Sequence, residues 1–216
     1  MGANVGDTVA FWRSVGPFPI LAIEPTDKFG NVLARNSHRL GSVVIDRSTL
    51  GHVDADETTR LSVRHGTARL VSTHSLSSVA RLSSVLARHP RFEDAKLLKI
   101  DTDGSDGAVV VGAREWLARR RPIVFFEFQP ALSRPGTPTL LDAFDVLAES
   151  GYAQLAFYDN AGHFALSTSM LERDRVCELH AHADGWGEER YWDVAAFHGD
   201  DLDVYEALRG EELNRG

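Results

Sequence analysis

The chain has 216 residues, 43% of them hydrophobic, which is enough for one domain with a well-covered core. Its formal net charge of −8 and its pI near 5.6 argue against a broad nucleic-acid-binding or anionic-membrane surface. One cysteine, Cys177, excludes an internal disulfide framework, and no apolar stretch approaches the length of a membrane span. We therefore expect a cytoplasmic protein with a single domain over residues 1–216, and its oligomeric state is not predicted.

Strand-like and helix-like segments alternate in the first half of the chain, which is typical of a parallel sheet covered on both faces. In chain order, the predicted elements are a helix at 7–14, a strand at 20–24, a helix from 26 to about 36, a strand at 42–46, a weaker strand pair within 60–71, a helical pattern from 76 to 90 and a strand at 96–100.

The second half begins in the same way and ends with antiparallel strands. Its predicted elements are a helix at 105–120, a strand at 123–126, a helix from 138 to 151, a hairpin at 155–166, a strand at 192–198 and a polar terminal helix. This order predicts an α/β fold with a doubly wound, mostly parallel sheet, helices on both faces and antiparallel edge strands near the C-terminal end.

A glycine-rich turn followed by a strand that ends on a carboxylate is the first informative motif. Residues 2–7 read Gly-Ala-Asn-Val-Gly-Asp, and the apolar run 20–23 ends on Glu24. Glycines allow a tight turn close to a ligand, and a strand-end carboxylate can accept both hydroxyls of a ribose. The glycine spacing differs from the dinucleotide pattern. Asn4 and Asp7 suit an amino-acid tail better than a phosphate, which predicts S-adenosyl-L-methionine as the cofactor.

A second motif, Asp101-Thr102-Asp103-Gly104, follows the strand at 96–100. If the backbone turns at Gly104, both carboxylates can face one cleft, where one accepts a proton from a substrate hydroxyl. The alternative is an acidic cluster that stabilises the N-terminus of the helix at 105–120. The sequence leaves both interpretations open, with His163 near the predicted hairpin as another candidate base.

At this point the chain resembles a known family. The segments 2–7, 23–25, 97–104 and 112–113 look like the ordered motifs Gly-Ala-Asn-x-Gly-Asp, Glu-Pro, Lys-Ile-Asp-x-Glu-Gly and Gly-Ala of the FkbM methyltransferases. The resemblance covers roughly residues 1–130, although Asp103 replaces the usual Glu. It implies a Rossmann-like class I methyltransferase fold. It also implies methyl transfer from S-adenosyl-L-methionine to a hydroxyl of a sugar or polyketide-type small molecule, with no nucleic-acid or membrane partner.

The resemblance also implies roles for individual residues. Asp101 and Asp103 would lie at the transfer site, Glu24 would bind the ribose, and the segment 48–51 falls where the family places its adenine-side loop. The residues implied in cofactor binding are Gly2, Asn4, Gly6, Asp7, Glu24 and Thr49.

In this family a first strand that ends in an acid precedes the glycine turn, whereas only Met1 precedes it here. We expect either a reading frame that begins upstream or a truncated member. Two rival functions remain open: a non-catalytic or truncated adenosine-ligand-binding domain, and a nicotinamide-dependent oxidoreductase, which needs phosphate-binding glycines that this turn lacks.

No metal site is predicted. His180 and His182 stand two residues apart and cannot share a helix face. The acidic residues at 200–203 lack the glycine and distal glutamate of an EF-hand loop.

Overall fold

The computed structural model describes residues 1–55, 59–64, 67–72, 79–133, 136–185, 187 and 190–215. The chain divides into two units, Met1–Asp94 and Ala95–Gly216. Both units combine helices and strands, so the α/β class is confirmed. The single domain over residues 1–216 stays a prediction.

The first unit alternates helices with short strands. Its elements are α1 (Asp7–Val15), β1 (Ile20–Ile23), α2 (Asp27–Ser37), β2 (Val43–Asp46), β3 (Thr49–Leu50), β4 (Thr59–Arg64), β5 (Thr67–Ser72), β6 (Val79–Ala80) and α3 (Leu82–Arg88). Strands β1 and β2 pair in parallel from Ile20 opposite Val43 to Ile23 opposite Asp46. The predicted pair within 60–71 is confirmed as the antiparallel pair β4–β5.

Local signals explain why the first elements form where the sequence predicts them. The hydroxyl of Thr26 accepts a hydrogen bond from the N–H of Phe29 and so caps α2. Val9 of α1, Ala22 of β1 and Leu33 of α2 meet in one buried cluster. The amphipathic helices and β1 are therefore held together by burial of their apolar faces.

The helical pattern predicted from 76 to 90 is wrong at its start. Val79 and Ala80 form β6, which pairs in parallel with Thr49 and Leu50 of β3. The helix α3 begins only at Leu82, and Leu76 lies outside the described residues. A partner about thirty residues away, which periodicity cannot register, decides the conformation here.

The second unit holds a five-stranded mixed sheet. Its elements are β7 (Leu97–Ile100), α4 (Asp106–Gly112), α5 (Arg114–Arg120), β8 (Ile123–Phe128), α6 (Leu140–Glu149), β9 (Tyr152–Asp159), β10 (Phe164–Ser169), α7 (Arg173–Asp184), β11 (Trp192–His198) and α8 (Leu202–Arg215). The strand order is β10-β9-β11-β8-β7. Strands β7 and β8 are parallel, and the other neighbours are antiparallel.

Side chains alternate along β8, so this strand contributes residues to both faces of the sheet. Phe126 and Phe128 point to one face, where both rings contact Phe144 of α6 at centroid distances of 5.6 and 5.5 Å. Phe125, on the other face, packs against a buried cluster that includes Tyr205 of α8. Glu127 shares the face of Phe125, because the two residues are two positions apart in one strand.

The helix predicted at 105–120 is interrupted. Its two parts, α4 and α5, meet at Ala113, whose φ of −94° and ψ of 0° depart from helical values. The residue before it is Gly112, which lowers the cost of leaving the helix at this point.

Gly107 of α4 marks a close approach between two elements. A Cβ atom at this position would lie 2.4 Å from the carbonyl oxygen of Thr139, directly before α6. Gly107→Ala should therefore lower the free energy of unfolding by about 1–3 kcal/mol, because backbone rather than a flexible side chain must move. Gly210→Ala in α8 is the matched control. A Cβ atom added there would meet no described atom within 4 Å apart from its chain neighbours and the backbone of its own helix, and the change should stabilise the chain by ~0.5–1 kcal/mol. Urea denaturation of both variants tests this difference, and equal effects would contradict it.

Within the part of the chain that the structure describes, no helix combines the length and the apolar character needed to cross a membrane.

Candidate functional site

The predicted glycine turn is present at the start of the first unit. Gly2, Asn4 and Gly6 all have positive φ, at 68°, 47° and 100°. The N–H of Ala3 donates to the carbonyl of Ile23 at 3.1 Å, which ties the turn to the end of β1. A side chain at Gly6 would press against Leu33, with a Cβ distance of 2.9 Å, so this turn needs its glycine.

Glu24 holds this turn in place. Its side chain is buried, with 3% of the residue exposed. Its Oε2 accepts from the N–H of Asn4 at 2.9 Å, while its Oε1 accepts from the N–H and the hydroxyl of Thr26 at 3.0 and 2.5 Å. Three of roughly four acceptor positions of the carboxylate are thus used within the protein. The sequence identified Glu24 but missed this anchoring role, and its contact with a ribose stays a prediction.

The other predicted cofactor-binding residues lie either at the glycine turn or in a separate strand. Asn4 and Asp7 are exposed at the turn and at the first position of α1. Thr49 is buried in β3, three residues after the end of β2. The structure therefore brings Gly2, Asn4, Gly6 and Asp7 together around one turn with Glu24, whereas Thr49 belongs to a separate strand.

Asp46, at the end of β2, is a buried carboxylate with several donors. It accepts hydrogen bonds from the N–H of Ser48 at 2.8 Å and from Arg88 at 3.1 Å, and its Oδ2 lies 2.9 Å from Nε2 of His89. Burial opposes ionisation, but the bonds from Ser48, His89 and Arg88 outweigh it and lower the pKa of Asp46 to about 2. Asp46 is therefore a structural anion that ties the end of β2 to the residues that end α3.

The second unit contains the predicted pair Asp101 and Asp103, directly after β7. The backbone leaves the extended form there as the sequence predicts, with φ values of 51° at Asp103 and 92° at Gly104. A Cβ atom at Gly104 would lie 2.3 Å from the carbonyl oxygen of Leu132, so the turn packs closely on that segment. Nζ of Lys99 lies 2.5 Å from Oδ2 of Asp101.

Three further carboxyl groups extend this pair, and sequence reasoning did not place them in the site. We name the whole set the carboxyl cluster: Asp101, Asp103, Asp106, Glu127 and Asp193. Asp193 of β11 lies directly opposite Glu127 of β8 in the antiparallel register. Asp101 follows Ile100, whose partner is Phe126, so it emerges beside Glu127 at the same sheet edge.

The groups of the cluster perturb one another. Burial raises the pKa of Glu127 to about 8, assisted by the charges of Asp106, Asp101, Asp103 and Asp193. Burial raises the pKa of Asp106 to about 6, and hydrogen bonds from Thr102 offset only part of this effect. Burial also raises the pKa of Asp193 to about 6, partly offset by Lys99. Carboxyl groups with raised pKa values can exchange protons near neutral pH, as a general acid or base must.

Sequence signals could have identified part of the carboxyl cluster. The sequence predicts that the strand from 123 ends at 126, whereas β8 continues to Phe128 and Glu127 lies inside it. Asp193 stands inside the correctly predicted strand at 192–198. The signal that was missed is a single acid among the otherwise apolar residues 192–197. Asp106 occupies the first turn of α4. An acid at that position can stabilise the N-terminus of a helix, and both interpretations of Asp101 and Asp103 stay predictions.

The histidines that the sequence pointed out lie away from the carboxyl cluster in sequence, at the hairpin and on α7. His163 is exposed and pairs with Asp159 at the hairpin turn. His180 and His182 lie on α7. Among the residues that the structure describes, no group of three or more His, Cys, Asp or Glu side chains is arranged to hold a metal ion.

Comparison with known proteins identifies the family of this chain. Residues 1–153 match the family model described as the methyltransferase FkbM domain. The chain belongs to the FkbM methyltransferase domain family. The match extends beyond residues 1–130, where the sequence motifs lie, and takes in α6 and the beginning of β9.

A solved structure supports the fold of this FkbM-domain chain. It is a crystal structure described as methyltransferase FkbM from Methylobacillus flagellatus KT, with 18% identity and a TM-score of 0.50. The likeness covers 71% of this chain and 37% of that protein, so the chain spans little more than a third of its relative. No curated protein sequence matches the chain closely enough to add a function.

Proposed function

We propose that this FkbM-domain chain is an S-adenosyl-L-methionine-dependent O-methyltransferase. The observation that carries the proposal is the turn from Gly2 to Gly6, which the Asn4–Glu24 hydrogen bond fixes to the end of a parallel strand. A class I methyltransferase fold, with its doubly wound and mostly parallel sheet, is part of the proposal. The two parallel pairs β1–β2 and β7–β8 support it.

The residues around the glycine turn suit the cofactor chemically. The exposed carboxylate of Asp7 can accept from an ammonium group and would repel a phosphate. Gly2, Asn4 and Gly6 would hold the amino-acid part, and the remaining acceptor position of Glu24 would take a ribose hydroxyl. Thr49 would lie towards the adenine. Bound in this way, S-adenosyl-L-methionine supplies a methyl group that is already activated on a sulfonium.

Asp101 and Asp103 would supply the base at the transfer site. When bound, the cofactor would supply its methyl group to the acceptor oxygen, and the electrons of the broken sulfur–carbon bond would stay on sulfur. A carboxylate of the cluster would accept the hydroxyl proton. Glu127, buried beside this pair, would hold a proton at neutral pH and could return one to the site.

The charge of the cluster restricts the acceptor. A nucleic acid or another polyanion would be repelled by several carboxylates at one sheet edge. A small neutral or positively charged molecule that carries a hydroxyl, of the sugar or polyketide type, would be accepted. We therefore propose a small-molecule hydroxyl acceptor, with no nucleic-acid or membrane partner. A cytoplasmic location is a separate part of the proposal.

Calorimetric titration with S-adenosylhomocysteine, with NAD as the control ligand, tests the cofactor assignment. We expect binding of S-adenosylhomocysteine in the micromolar range, which corresponds to roughly −8 kcal/mol, and no binding of NAD. Binding of NAD alone would favour the oxidoreductase. Binding of S-adenosylhomocysteine without methylation of any hydroxyl compound would favour the non-catalytic alternative.

Asp103→Asn tests the base. Asparagine tolerates the left-handed backbone at this position, where φ is 51°, so the variant removes the charge and keeps the turn. We expect turnover to fall roughly 10²–10⁴-fold while S-adenosylhomocysteine affinity is retained. Asp174→Asn, an exposed change on α7, is the control and should leave both unchanged. Unaltered turnover in Asp103→Asn would show that another group accepts the proton.

A further inference from the structure

The carboxyl cluster contains more acid than the transfer of one proton requires. One carboxylate suffices as a base, yet five carboxyl groups converge at the end of β7 and β8. Register alone brings Glu127 and Asp193 face to face across an antiparallel pair, where ionisation of both would place like charges side by side and destabilise the sheet. Such an arrangement costs stability, which points to a ligand that offsets the cost.

Two oxygen atoms of the cluster are left unsatisfied. Oδ1 of Asp106 and Oε2 of Glu127 are buried and have no hydrogen-bond partner among the described residues. Asp106 is 2% exposed and Glu127 is 9% exposed, so water covers little of either carboxyl group. Buried polar atoms are normally hydrogen-bonded, and buried charges are normally paired. The cluster therefore has acceptors to offer to a donor that carries positive charge.

Lys99 supplies one positive charge to the cluster, and its ammonium group already pairs with Asp101. Its ammonium group lies 2.5 Å from Oδ2 of Asp101, at the partly exposed side of the cluster. The unsatisfied oxygens belong instead to the deeply buried Asp106 and Glu127. A second cation would thus bind beside Glu127 rather than replace Lys99.

The geometry favours an organic cation over a metal ion. A metal needs several ligand oxygens converging at about 2.0–2.6 Å, and the described acidic side chains are not arranged in that way. An ammonium group needs only two or three acceptors at ordinary hydrogen-bond distances. We propose that the carboxyl cluster binds the ammonium group of an amine-bearing acceptor, such as an amino sugar or amino alcohol, and so positions its neighbouring hydroxyl for methylation.

This inference rests on the proposed function, since it names the acceptor class of the same site. The test compares positively charged amines with uncharged derivatives: glucosamine, galactosamine and 2-amino-1,3-propanediol, each titrated against its N-acetyl derivative at neutral pH. At least one amine should bind roughly tenfold or more tightly than its N-acetyl partner, which is ~1.4 kcal/mol or more. Its binding should release protons, because the added positive charge favours ionised carboxyl groups, and calorimetry in two buffers of different ionisation enthalpy measures that release.

Two variants locate the binding. Asp193→Asn removes a negative charge from the cluster, and Glu127→Gln removes its partner across the strands. Each should abolish the preference for the amine, and the exposed change Asp174→Asn should preserve it. If no amine in the set binds more tightly than its N-acetyl derivative, the inference is wrong. A preference that survives both cluster variants would also overturn it, as would saturable binding of magnesium or calcium ions that either variant abolishes.

A separate titration distinguishes failure of this inference from failure of the proposed function. S-adenosylhomocysteine binding depends on the glycine turn of the first unit, whereas amine binding depends on residues of the second unit. If the chain binds S-adenosylhomocysteine but shows no preference for amines, the methyltransferase proposal is retained and the acceptor belongs to a different class. Loss of both would reject the two proposals together.

Discussion

Glu24→Ala should strongly weaken S-adenosylhomocysteine binding and lower the free energy of unfolding by about 3 kcal/mol or more. The buried carboxylate accepts two N–H groups and one hydroxyl, and each bond to a charged acceptor contributes ~1.5–3 kcal/mol. Alanine leaves the donors of Asn4 and Thr26 unsatisfied. The turn that would receive the cofactor then loses its fixed conformation, so we expect affinity to fall roughly a hundredfold or more.

Two further variants separate anchoring from a general loss of charge. Glu24→Gln keeps the shape but presents an NH₂ group to either Asn4 or Thr26, both of which donate hydrogen bonds here. It should therefore lie between the wild type and Glu24→Ala in both measurements. Glu178→Ala, at an exposed position on α7, should change neither. Calorimetry and urea denaturation give the two readouts, and full cofactor affinity in Glu24→Ala would reject the role of Glu24.

The parts of the fold that the sequence predicted are those that local chemistry decides. Glycine spacing and an apolar run identified the turn and β1, and a threonine cap identified the start of α2. The strand at Trp192–His198 was predicted with its observed bounds. Each of these signals lies within a few residues of the element it defines, so one sequence is enough to detect it.

The remaining parts depend on residues distant in the chain. Val79 is a strand residue because Thr49 pairs with it, although its own spacing is helical. Glu127 belongs to the candidate site because Asp193, more than sixty residues later, lies opposite it. Its altered protonation follows from burial and from four neighbouring acids. Periodicity carries no information on such pairings, so the sequence yielded two members of the carboxyl cluster and missed three.

Glu127→Gln should stabilise the chain at alkaline pH and remove much of its pH dependence. Glu127 has its pKa raised from 4.5 to about 8, so the folded state binds a proton that the unfolded state has lost across this range. The contribution of Glu127 to the free energy of unfolding is fully present below pH 4.5. It is lost as the pH rises from 4.5 to about 8. Since one pKa unit is worth ~1.4 kcal/mol, the loss amounts to at most about 5 kcal/mol. Glutamine keeps the size of the side chain and cannot ionise, so it avoids this loss.

The interval from about pH 6 to about pH 8 isolates the effect, because Asp106 and Asp193, with pKa values of about 6, titrate before Glu127. In urea denaturation, the unfolding free energy of the wild type should decline over this interval by up to ~1.4 kcal/mol per pH unit. The Glu127→Gln profile should be nearly flat there and lie above that of the wild type near pH 8. The exposed change Glu178→Gln should follow the wild type. A Glu127→Gln profile with the wild-type slope would show that Glu127 is ionised at neutral pH, and the carboxyl cluster would then have to tolerate its full charge without a bound cation.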